Sequence, residues 1–116
     1  MKDHHGCPVQ ATINVLSGKW KVQAVWHLSF GPRRFTEMRN LLKGVSEKVL
    51  TAQLRELEKD EVLCRKHFGG PEEHLRYSLT TYGRTLVPIL THMAEWGAAH
   101  KERFAEKRTN SHCIAS

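Results

Sequence analysis

The chain has 116 residues, 40% of them hydrophobic and 26% charged, with a formal net charge of +6. That is one domain's length with enough apolar content to fold, which excludes global disorder, and no apolar run approaches the roughly 18–20 residues that span a bilayer. The first eight residues lack the apolar stretch of a secretory signal, and three cysteines at 7, 64 and 113 make neither a disulfide framework nor a Cys-x-x-Cys metal pair, so the expected compartment is the cytoplasm.

Pro8 suits the first position of a helix because no N–H is needed there. Ala11, Ile13, Val15 and Leu16 make a short apolar stripe that Gly18 ends. A second helix is expected over about 19–30, with Trp20, Ala24, Val25 and Leu28 inward and Gly31-Pro32 as its stop. Arg33-Arg34-Phe35 reads as extended. Thr36 is the expected cap of a third helix over about 37–43, with Met38, Leu41 and Leu42 inward. Gly44-Val45 is a tight turn, and Ser46 caps a fourth helix over about 47–59, with Glu47 in its first turn. Leu50, Leu54 and Leu57 give that helix a single apolar face.

The period then changes from helical to alternating. Residues 62–66 and 75–79 are short strands around Gly69-Gly70-Pro71, the pattern of a β-hairpin. Thr80 or Thr81 is the expected cap of a last long helix over about 82–107. Leu86, Ile89, Leu90, Met93 and Trp96 supply its apolar side, and Pro88 lies near its first turns. The expected architecture is mainly α with one small hairpin: a single winged helix-turn-helix domain over 1–107, with the helix-turn-helix at about 36–59, the wing at about 62–79 and a flexible tail over 108–116.

The charge follows this organisation. Residues 18–66 hold 11 Lys and Arg against 6 acids, so most of the basic excess falls on the helix-turn-helix and the start of the wing, the footprint of a polyanion partner. In a helix-turn-helix the second helix enters the major groove of duplex DNA with its N-terminal residues at the base edges. With the leucines inward, the opposite side of the fourth helix carries Lys48, Thr51, Ala52, Arg55 and Lys59. Ser46 stands at its leading end and Gln53 at its side. Ser, Thr, Lys, Arg and Gln can bond base edges or phosphates, and Ala52 permits close approach or contact with a thymine methyl. The same wheel also describes an ordinary solvated amphipathic helix.

These residues resemble the HxlR-type transcriptional regulators, winged-helix proteins related to the MarR group. The resemblance is carried by Cys7-Pro8-Val9, Gly18-Lys19-Trp20, Arg34-Phe35 with Glu37-Met38, and residues 45–51 (VSEKVLT). It continues through residues 54–58 (LRELE), Arg65, Tyr77-Ser78-Leu79-Thr80, Gly83-Arg84 and Trp96. It implies a homodimeric bacterial regulator that binds a palindromic operator in double-stranded DNA. In such proteins the first and last helices build the dimer interface, here through Val15, Leu86, Leu90, Met93 and Trp96. The resemblance also implies an oxidant or electrophile effector acting on a cysteine just before the first helix, the position of Cys7. On this reading Arg34, Ser46, Lys48, Thr51, Ala52, Gln53, Arg55, Lys66 and Arg76 contact DNA.

The chain departs from the family pattern in three places. Asp60-Glu61 stands where Asp-Gly is usual, although glycine best tolerates the left-handed backbone of a helix cap. Glu72 and Glu73 put two acids at the wing tip, where they repel phosphate, leaving Lys66 and Arg76 on the flanks as phosphate ligands. Gln23 is polar where the family is usually apolar.

Other sites read less sharply. His4, His5 and Cys7 near one end, and His112 and Cys113 near the other, lack helical ligand spacing, so no metal and no cofactor is expected. Trp20, Trp26 and Trp96 could line an effector pocket, but aromatics at helical spacing are more often core. Cys64 reads as a small buried hydrophobe. No nucleophile elbow, zinc-protease or phosphate-loop motif is present, so no enzyme is expected. Two rival readings remain open: a DNA-binding regulator without a cysteine switch, and a dimeric winged-helix interaction module.

Overall fold

The structure, a computed structural model, describes residues 6–69 and 74–110, with side chains as far as residue 105. The wing-tip residues 70–73, His4, His5, His112 and Cys113 lie outside the described residues. Two compact units divide the chain, Met1–Thr85 and Leu86–Ser116. The first holds α1 (Pro8–Leu16), α2 (Lys21–Leu28), α3 (Phe35–Leu41), α4 (Glu47–Lys59) and the antiparallel hairpin β1 (Leu63–Phe68) and β2 (His74–Leu79). The second is essentially α5 (Val87–Asn110). No helix among the described residues is long and apolar enough to cross a membrane.

The core of the first unit is built on α2, α3 and α4. Ala24, Val25, Leu28, Met38, Leu42, Leu50, Leu54 and Leu57 are buried, joined by Val45 from the turn and Val62, Leu63 and Leu79 from the hairpin. The leucine stripe of α4 is therefore the inward face that its spacing requires. None of α1 is buried, and Val9 and Ile13 are exposed.

Several boundaries differ from the sequence expectation. Lys19 and Trp20 precede α2 instead of opening it. Thr36 lies inside α3, whose N-cap is Arg34, and the Glu37 carboxylate accepts from the Arg34 backbone N–H at 2.8 Å. A carboxylate reaching back from the third position satisfies one of the free donors at the helix start, so no Thr cap is needed. Leu41 is partly exposed, and Leu42 fills the core in its place. Of the expected extended stretch only Arg33 is paired, its N–H donating to the Tyr77 carbonyl and its carbonyl accepting from Tyr77 N–H. This is a single-residue bridge at the free edge of β2, and the sheet itself stays two-stranded.

The last helix also starts later than its pattern suggests. A 3-10 turn, Gly83–Leu86, precedes α5, and the Thr80 hydroxyl accepts from Gly83 N–H at 2.8 Å. Thr80 is thus a cap, but of the 3-10 turn. Pro88 is the second residue of α5, where a missing N–H leaves no intrahelical bond unmade. The helix continues to Asn110, beyond the expected end at 107.

Candidate nucleic-acid interface

Ser46 lies outside α4 with an extended backbone, and its Oγ accepts from Val49 N–H at 3.1 Å. This cap fixes where the helix begins. Gly44, at φ 94°, makes the turn that brings α3 into α4, a left-handed conformation that costs glycine little. With the leucines buried, Glu47, Lys48, Thr51, Ala52 and Arg55 line an open depression on the outer face of α4. The sequence-derived groove residues Lys48, Thr51, Ala52 and Arg55 thus stand together. Ser46 is at their leading end, its oxygen engaged in the cap.

Gln53 stands apart from that group. A Cβ placed on Gly18 would lie 3.4 Å from Gln53 Oε1, so this side chain reaches towards the corner between α1 and α2. The Arg34 Nη2 is within hydrogen-bonding distance of His74 Nε2, at the start of β2.

On the wing, Lys66 and Arg76 are direct cross-strand partners. Like charges opposite each other cost stability, and a polyanion would offset that cost. The Arg76 guanidinium lies 5.3 Å from the Phe68 ring centroid, and its Nε is buried with no hydrogen-bond partner among the described residues. The wing is also tied to α4, because Arg65 Nε donates to Glu58 Oε2 at 2.8 Å. Tyr77 lies beside this pair and Arg55. Burial raises its phenol above the usual pKa, partly opposed by the charge of Arg65.

Sequence reasoning passed over a second anchor. Lys21, nearly fully buried, forms an ion pair with Glu56 of α4. Its hydrogen bond and positive charge lower the Glu56 pKa. A lysine in an apolar helical stripe reads from sequence as a solvated residue, so the pair is visible only once α2 and α4 are packed together.

Cys7 is the N-cap residue of α1 and is exposed. Its carbonyl accepts from Gln10 and Ala11 N–H, and its side chain makes no cap hydrogen bond. Cys64 is half-buried on β1. Of the expected interface residues, Val15 and Leu86 are half-buried and Leu90 is buried, while Met93 and Trp96 are exposed. Trp96, His100 and Phe104 stack in sequence along α5, with ring centroids 4.9 and 5.1 Å apart. Among the described residues no group of three or more His, Cys, Asp or Glu is placed to hold a metal.

Comparison with known proteins adds a family to this geometry. The HxlR-like helix-turn-helix family model matches residues 15–105. The uncharacterised HTH-type transcriptional regulator YdeP of Bacillus subtilis is 44% identical over 101 residues, covering 87% of this chain and 79% of that protein. The redox regulator HypR in its reduced form superposes with a TM-score of 0.78 at 38% identity, over 86% of this chain and 99% of that one. The reduced form of the transcriptional regulator YodB from B. subtilis gives a TM-score of 0.69 at 28% identity, over 78% and 90%. These relatives are regulators, not enzymes, in agreement with the sequence reading. With the family model spanning most of the chain and the fold a winged helix-turn-helix, the chain belongs to the HxlR-like helix-turn-helix family of DNA-binding transcriptional regulators.

Proposed function

We propose that this protein is a sequence-specific transcriptional regulator of the cytoplasm that places α4 in the major groove of duplex DNA. One observation carries the reading: Lys48, Thr51, Ala52 and Arg55 share one open face of a helix whose other face is sealed into the core. Lys48 and Arg55 suit phosphate or guanine, Thr51 suits a base edge, and Ala52 permits close approach. Lys66 and Arg76 add phosphate contacts from the wing. The test begins with selection of bound duplexes from random sequence. Thr51→Ala and Lys48→Ala, measured against the selected site, are expected to cost about 1–3 kcal/mol where a base contact is lost and to relax sequence choice there. Two folded variants with unchanged affinity and specificity would remove α4 from the groove.

The protein acts as a homodimer on a palindromic operator in this reading. Support comes from exposed apolar residues on both terminal helices, Val9 and Ile13 on α1, and Ile89, Met93, Trp96 and Phe104 on α5. Trp96→Arg is expected to weaken the dimer in sedimentation while leaving the monomer's secondary structure intact.

Cys7 is the proposed redox or electrophile switch. It is exposed at the N-terminus of α1, where an oxidant can reach it, and HypR, similar over most of the chain, is described as a redox regulator. Oxidation by peroxide to a sulfenic acid, or by diamide to a disulfide with a second thiol, would disturb the start of α1. DNA affinity is expected to change on treatment of the native protein and to stay constant in Cys7→Ser. A change that persists in Cys7→Ser would assign the response to Cys64 or Cys113.

A further inference from the structure

A helix seated in the major groove runs between two sugar-phosphate backbones, so elements flanking it lie over phosphates. Here α4 is held from both flanks. On one side the wing is tied to it through Arg65 and Glu58. On the other side lies the corner joining α1 to α2. Gly18, at φ 93°, brings this corner so close that a Cβ there would stand 3.4 Å from Gln53 Oε1. One turn further on, Lys21 is paired with Glu56. The Trp20 ring lies under the helix-turn-helix turn, its Cη2 3.9 Å from where a Cβ on Gly44 would be. Lys19, between these contacts, is exposed, and its ammonium lies 4.6 Å from the Trp20 ring centroid.

We propose that Lys19 is a phosphate-contacting residue of the DNA interface, held over the Trp20 ring on the edge of α4 opposite the wing. The inference rests on the reading that α4 enters the groove. A free lysine gives up much side-chain entropy when it binds, and stacking over an indole restricts the chain before DNA arrives. The ring occupies one side of the ammonium and leaves N–H donors on the other. Among the described residues Lys19 makes no ion pair, and Glu56 on the adjoining face of α4 is already paired with Lys21. The charge is therefore available to a polyanion. Lys19 on one edge and the wing on the other would fix the angle at which α4 enters, while carrying no sequence information themselves.

The test uses the full chain and a random-sequence duplex, because phosphate contacts do not depend on an operator. Binding is followed by fluorescence anisotropy between about 50 and 200 mM salt, and the slope of log affinity against log salt counts the phosphates neutralised. Lys19→Gln is expected to reduce that slope by about 0.9 for each chain bound, and to weaken random and selected duplexes by the same factor. Lys19→Arg should keep the slope near that of the native protein. Trp20→Phe, which retains a smaller ring, should keep the slope but lower the affinity, as expected for a positioning residue. A native slope in folded Lys19→Gln overturns the assignment while leaving α4 in the groove. Absence of salt-dependent duplex binding by the native protein overturns both readings together.

Discussion

Glu61 is the one non-glycine residue with a positive φ among the described residues, at 63°. It stands where the family pattern has glycine, and the backbone has kept the conformation without the residue that suits it. The hydrogen bonds explain why. Glu61 N–H donates to the Glu58 carbonyl and Val62 N–H to the Leu57 carbonyl, both at 2.9 Å, which closes α4 with the paired bonds of a Schellman cap. Leu57 and Val62 are both buried, supplying the apolar contact that goes with this cap. The Thr80 hydroxyl donates to the Glu61 carbonyl at 2.6 Å. A left-handed L-residue costs about 1–2 kcal/mol, and part of any gain from glycine is returned through the greater freedom of the unfolded chain. Glu61→Gly is therefore expected to stabilise the protein by about 0.5–1 kcal/mol, read as a higher urea midpoint with an unchanged slope. An unchanged or lower midpoint would mean that the side chain contributes more than its backbone costs.

Elements differ in how plainly the sequence declares them. The bounds of α4 are readable because three independent signals agree: a Ser cap, an acid in the first turn and leucines at one spacing. The start of α3 is not, because its cap is made by a backbone N–H and a side chain three residues later. The turn before α5 is hidden for a similar reason. Residues 80–86 carry helix-compatible side chains, and the break in the helix comes from a tertiary clamp: Thr80 N–H donates to the Val62 carbonyl at 3.0 Å, and Thr80 Oγ1 accepts from Gly83 N–H. Gly83 is buried in this clamp. A Cβ there would stand 1.9 Å from the Val62 carbonyl oxygen and 2.9 Å from its carbon. Both atoms are backbone and already bonded to the strand start, so they have little room to yield. Gly83→Ala should cost about 2–4 kcal/mol in equilibrium unfolding, at the high end of overpacking changes. A loss below about 0.5 kcal/mol, the range of an ordinary surface change, would show that the hairpin and the 3-10 turn separate easily. The candidate site divides in the same way. Lys48, Thr51 and Arg55 are legible from the helical wheel, whereas the ion pair of Lys21 and the contact proposed for Lys19 depend on how the α1–α2 corner sits against α4.

At the scale of the molecule, stability rests on a few titratable groups whose effects share a sign on the acid side. The His27 pKa is lowered first by burial and then by the charge of Arg33, so the folded protein holds this imidazole neutral. The unfolded chain takes up that proton below about pH 6.5, and the stability carried by neutral His27 is lost as the pH falls from there. The Glu56 pKa is lowered chiefly by its hydrogen bond to Lys21. Its contribution is complete above the ordinary glutamate range, near 4.5, and is lost as the pH falls through and below that value. At the alkaline end Tyr77, raised mainly by burial, stays protonated in the fold while the unfolded phenol ionises near pH 10, so stability falls again there. The formal +6 charge grows on the acid side, and self-repulsion adds to the acid loss. The expected profile is a plateau between about pH 7 and 9, a first decline below about 6.5 and a second near 4.5. Urea midpoints measured across this range would locate both steps. His27→Gln should flatten the first decline and leave the second, whereas Glu56→Gln should lower the plateau itself and remove the second, because it leaves Lys21 buried without its counter-charge. If both variants reproduced the native profile, acid sensitivity would come from net charge alone. The anchor between α2 and α4 would then contribute nothing to the fold that positions α4.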